Sequence, residues 1–127
     1  MGNETEHETA ALKATLDWLN ATRRQLVAVA IELDARWTAE TDPIRKNLIW
    51  NAKSFPEAEL TRIKRAILDL VEGDFTVEPP DQPTLDKTAE LSDQLQAQLL
   101  KQRTVEAVVQ LVSDIGKLVS GVLNSKT

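Results

Sequence analysis

"TLDKTAELSDQLQAQLLKQRTVEAVVQLVSDIGKLVSGVL", residues 84–123, decides the fold, because it reads either as one long helix or as two. It contains no proline, and its first glycine is Gly116, so nothing in its first thirty-two residues forces an interruption. One helix over 84–123 would be about 60 Å long at 1.5 Å per residue. Its apolar stripe does not stay in phase, however. At 100° per residue Leu85, Leu95 and Leu99 fall on the side that is occupied further on by Glu106, Gln110, Asp114 and Lys117. Supercoiling drifts only about 20° per heptad, too little for that change. The two halves therefore face different neighbours, through a break near residues 101–104 or along a continuous helix that passes from one environment to another. The absence of glycine and proline there favours the continuous helix.

Within 105–123, eleven of nineteen residues are aliphatic. Glu106, Gln110, Ser113, Asp114, Lys117 and Ser120 share a polar arc of about 120°, and every aliphatic side chain lies outside it. That apolar arc is wider than one neighbouring helix covers. Burying its larger side chains contributes on the order of 10 kcal/mol before entropic costs, so the face is expected to be covered by two helices, a second copy, another protein or a lipid surface. Val105, Val108, Val109, Val112, Ile115, Val119 and Val122 are its candidate interaction residues. The charges at Glu106, Asp114 and Lys117 argue against a membrane span. Interfacial helices carry several cations and an aromatic, and this one has a single lysine and no aromatic.

Working outward, residues 74–83, "DFTVEPPDQP", hold three prolines and read as a stiff loop. Before it, Asp42-Pro43 has the form of an N-cap followed by proline at the first helical position, and Gly73 that of a left-handed C-cap. A helix over 43–72 is expected, broken at 54–56, where Pro56 disfavours helix at Phe55 and Ser54 with Glu57 has capping-box spacing. The first helix is expected over about 4–41, capped by Asn3 with Glu6. Its seam runs through Leu12, Leu16, Leu19, Leu26, Ala30, Leu33 and Trp37 at alternating steps of four and three. These elements predict a single all-α domain over 1–127. The expected form is an up-down-up three-helix bundle with its second helix kinked near Pro56, or a four-helix bundle if the third helix breaks near 101–104.

Composition removes several chemistries. The chain has 127 residues, a net charge of −5, no cysteine, no tyrosine and one histidine. Thiolate chemistry and cysteine-ligated metals have no material. A histidine triad or cluster has none either, since Glu4 and His7 give only one copy of the Glu-x-x-His spacing that di-iron bundles use in pairs. No phosphate loop or nucleophile elbow occurs. No catalytic residue, cofactor, metal or small-molecule substrate is expected. Short basic clusters at Arg23-Arg24, Arg45-Lys46 and Arg62, Lys64 and Arg65 lack interleaved aromatics, so nucleic acid is not an expected partner. The opening residues lack the apolar region of a secretory signal, and a cytoplasmic setting is expected.

Two further sites follow from the helical wheels. Trp18 lies about 100° from the centre of the first seam and Trp50 precedes the Pro56 break, so each is a candidate partner anchor, Trp18 first. Arg23 stands where that seam wants an apolar residue, and Gln98 and Gln102 arrive at about the same height, which gives either a polar layer of Arg23, Gln98 and Gln102 across the waist of the bundle or an Arg23 that reaches solvent along its aliphatic stem. The function expected is a non-catalytic protein–protein interaction or assembly module, self-associating through its C-terminal amphipathic helix. The alternative is a lipid-surface protein that uses the same helix.

Overall fold

The computed structural model describes residues 2–73, 77–100 and 105–124, with side chains there except for 2–8 and 98–100. The chain is all-helical: α1 (Gly2–Ala39), α2 (Pro43–Ala52), α3 (Ser54–Glu72), α4 (Gln82–Leu100) and α5 (Val105–Leu123). The residues expected to form one continuous third helix are thus two helices, and α4 and α5 pack against each other, as a single straight rod does not allow. The phase shift between their stripes is the physical reason. Leu91 and Leu95 of α4 reach the same core as Val108, Val112, Ile115 and Val119 of α5, and a side-by-side arrangement buries both stripes at once.

Cross-helix contacts give the directions. Lys53 pairs with Asp34 and Lys46 lies over Trp37, so α2 runs against α1. Trp18 reaches Thr88 and Gln25 reaches Ser92, so α4 runs with α1. Arg62 meets Gly116 and Ser120 while Phe55 and Val112 face one hollow, so α5 runs with α3.

Local chemistry sets the boundaries. Asp42 accepts a hydrogen bond from Ile44 N–H at 3.3 Å with Pro43 in the first turn, as the sequence predicts. Gly73 closes α3 at φ +80°, a conformation that glycine adopts without the Cβ penalty. Two expected starts move. Asn3 lies inside α1, and α4 begins at Gln82, because Asp81 accepts from Thr84 N–H at 2.9 Å and takes Pro83 into the first turn. Hydrogen bonds from the Thr84 hydroxyl and then its backbone hold the Asp81 carboxyl below its ordinary pKa.

The interruption of the second rod lies at Lys53, one residue before the expected break, and it is mild. Lys53 keeps helical angles (φ −61°, ψ −25°), and its N–H still bonds the Ile49 carbonyl at 3.1 Å. Pro56 cannot donate to the carbonyl four residues back, that of Ala52, and its ring crowds that carbonyl, so the damage falls upstream of the proline. The Ser54 hydroxyl donates to the Asn51 carbonyl at 2.7 Å instead of capping α3.

The α1 seam is also rotated from its expected position. Thr15, Leu19, Thr22, Leu26, Val29 and Leu33 are buried at steps of four and three, whereas Leu12 is exposed and Leu16 only half-buried. The threonines enter the core because each hydroxyl donates to a carbonyl one turn back, Thr15 to Ala11 and Thr22 to Trp18 at 2.9 Å. Their polar atoms are satisfied and their methyl groups pack.

Two outcomes check this account. Val112 is 1% exposed in the centre of the core, so Val112→Asp is expected to cost at least about 3 kcal/mol by burying an unpaired charge. A thermal melt followed by circular dichroism measures it, and an unchanged midpoint contradicts the burial. Pro56→Ala restores the missing donor. Amide exchange across residues 52–57 is then expected to slow as α2 and α3 merge, with stability changed by less than about 1.5 kcal/mol because Pro56 also loses buried contacts.

Candidate interaction surface

The expected interaction face of α5 is inside its own chain. Val108, Val112, Ile115, Val119 and Val122 are buried in the core cluster, and Val105 and Val109 are half-buried against it. Leu111, which the sequence reading did not single out, joins them. Trp18 is not an exposed anchor: it is 6% exposed, and its indole Nε1–H donates to the Thr88 hydroxyl at 3.1 Å, joining α1 to α4. Arg23 is exposed, since Thr22 fills the seam position beside it, so the expected waist layer is not built on Arg23. The side chains of Gln98 and Gln102, like that of His7, lie outside the described residues.

What reaches solvent is different. Ile44, Leu48, Asn51 and Phe55 follow one another at steps of four, three and four, and all four are exposed, Ile44 by 74% and Leu48 by 52%. Because Lys53 keeps helical angles, the stripe passes from α2 into α3 without losing phase. Beside it Trp50 is exposed, with its ring 5.6 Å from that of Trp37 and tilted by 51°. Lys46 Nζ sits 4.1 Å from the Trp37 ring centre and Lys53 Nζ 4.5 Å from that of Trp50, and Lys53 also pairs with Asp34. Lys46 over Trp37, the Trp37–Trp50 pair and the Lys53–Asp34 ion pair fasten α2 to the end of α1, the aromatic contacts contributing about 0.5–2 kcal/mol each, while Lys53 over Trp50 is a contact within the second rod. The Trp37–Trp50 pairing joins different helices, and no periodicity along one helix shows it.

A polar clamp joins α3 to α5. Arg62 Nη2 donates to Glu59 Oε2 at 2.6 Å and to the Gly116 carbonyl at 2.7 Å, and its Nη1 donates to the Ser120 hydroxyl. Gly116 lets the carboxylate lie close, since a Cβ there would stand 2.6 Å from Glu59 Oε1 and the carboxylate would have to swing aside. The adjoining hollow of about 320 Å³ is lined by Phe55, Glu59, Ser113, Gly116, Lys117 and Ser120. Arg62 spends both terminal nitrogens on these partners, while its buried Nε has none among the described residues, and the two-point contact makes the clamp a register device.

Among the described residues no group of three or more His, Asp or Glu side chains is placed to hold a metal ion, and no helix is long and apolar enough to cross a membrane. No family model, curated protein or solved structure matches the chain.

Gly116→Ala is expected to change stability by less than about 1 kcal/mol, because the Cβ pushes the flexible Glu59 carboxylate off a partly exposed Arg62 while alanine favours the helix. Glu59→Ala removes the obstacle, so chemical denaturation of the two single variants and the double variant should give non-additive changes, with the alanine at 116 favourable in the double variant. Additive changes would place the effect elsewhere.

Proposed function

We propose that the chain is a non-catalytic helical interaction and assembly module, arranged as an up-down-up-down bundle in which α2 and α3 together form the second rod. The supporting observation is the exposed stripe of Ile44, Leu48, Asn51 and Phe55. Its heptad-like spacing, with one asparagine among large apolar residues, is the pattern by which helices pair, the polar residue choosing register at some cost in stability. Self-association therefore runs through the α2–α3 rod instead of α5, whose apolar residues are consumed by the fold. The lipid reading loses its support for the same reason, because α5 would have to leave the core to reach a bilayer.

The stripe spans twelve residues, about 17 Å of helix from Ile44 to Phe55, so the association is weak and depends on concentration. Sedimentation equilibrium is expected to give a mass rising above the 14.1 kDa of one chain. Leu48→Asp should hold it at one chain with little change in melting temperature, since Leu48 is outside the core. A wild-type mass that stays at one chain up to high concentration, or one indifferent to Leu48→Asp, overturns self-association through this stripe.

A further inference from the structure

We propose that the groove between α1 and α3 binds an acidic amphipathic helix of a partner protein. Arg23, Arg24, Val27, Leu60 and Lys64 line this open hollow of about 370 Å³. Its floor is apolar: Val27 is 40% exposed, Leu60 is half-buried, and Ile31 stands in solvent one turn beyond Val27. Its rim is cationic. In a chain of net charge −5, Lys13, Arg36, Arg45, Lys53, Arg62 and Lys87 each have an acid within 4 Å. Arg23, Arg24 and Lys64 have none among the described residues, as Lys46, Arg65 and Lys117 have none elsewhere, and the first three are exposed and converge on one hollow.

Acids near the ends of the groove do not neutralise it. Asp17 and Asp34 are taken by Lys13 and Lys53, and Glu57 lies about two turns from Lys64 along α3. Three unpaired cations around an apolar floor complement a helix that carries leucine-like side chains on one stripe and carboxylates beside it. From Arg23 to Val27 the hollow is little more than one helical turn long, and with exposed Ile31 beyond it the apolar strip reaches about two turns, which suits a short segment. A second copy docked symmetrically would bring these cations against themselves. A bilayer presents a flat surface to what is a concavity.

This proposal is independent of the exposed stripe on α2 and α3, and its test works on a monomer. The probe is a fluorescein-labelled, helix-forming peptide of about sixteen residues, with leucines at i, i+3, i+4 and i+7 and glutamates on the flanking positions, read by anisotropy beside its glutamine counterpart. The glutamate peptide is expected to bind about tenfold or more tightly than the glutamine one and to weaken as salt is raised. Arg23→Glu with Lys64→Glu should abolish this binding at unchanged melting temperature, since neither side chain is buried, and a lysine peptide should bind that variant in its place. Equal binding of the two peptides, or indifference to the charge reversal, overturns the proposal. So does a silent peptide when the same reversal releases the protein from phosphatidylserine vesicles or lowers its mass in sedimentation. Those results assign the groove to a lipid headgroup or to a second copy.

Discussion

Everything in this fold depends on burying the apolar arc of α5. Val108, Val112, Ile115 and Val119 sit at the centre of the core, with α1 contributing Leu19, Leu26 and Leu33, α3 contributing Ile63 and α4 contributing Leu91 and Leu95. An arc that leaves only about 120° polar needs neighbours on several sides. The requirement also explains the separation of α4 from α5. If the two were one rod, the α4 leucines and the α5 valines would point in different directions, and one set would remain in water.

The clamp and the seam then fix how these neighbours are placed. Burial alone leaves helices free to slide by a turn, since valines and leucines repeat along each face. Arg62 removes that freedom by meeting Gly116 and Ser120, one turn apart on α5, through the two ends of its guanidinium. The Trp18–Thr88 and Gln25–Ser92 bonds do the same between α1 and α4. Apolar area supplies the drive and a few directional polar contacts supply the register.

Much of the fold was legible in the sequence for reasons that stay close along the chain. The Asp42-Pro43 cap, the Gly73 terminus and the polar arc of α5 are local, and each lies where its chemistry puts it. The out-of-phase leucines announce a change of partner, but with neither glycine nor proline between Thr84 and Gly116 the sequence favours one continuous helix where the structure has α4 and α5. In the sequence the effect of Pro56 falls on its immediate neighbour Phe55, whereas the lost bond belongs to the Ala52 carbonyl. The candidate site was less legible. Thr15 and Thr22 look polar in one dimension and are buried, Trp18 looks peripheral and is covered by a helix seventy residues away, and Arg23 turns outward because Thr22 satisfies itself. Amphipathicity shows which residues seek cover and is silent on who provides it.

The pairing of helices bears on how the molecule forms. α1 meets α2 and α3 soon after they follow it in the chain, and α4 meets α5 in the same way, so each half closes over short loops. Loops of that length close quickly and at small entropic cost. Contacts between the halves, such as Trp18 with Thr88, span seventy residues and have to wait for both. Folding is thus expected to run through two helical hairpins that dock late, with the proline-bearing stretch between Gly73 and Gln82 as tether. A chain severed in that tether would keep each hairpin's own contacts intact, and the two pieces would carry matching halves of one core.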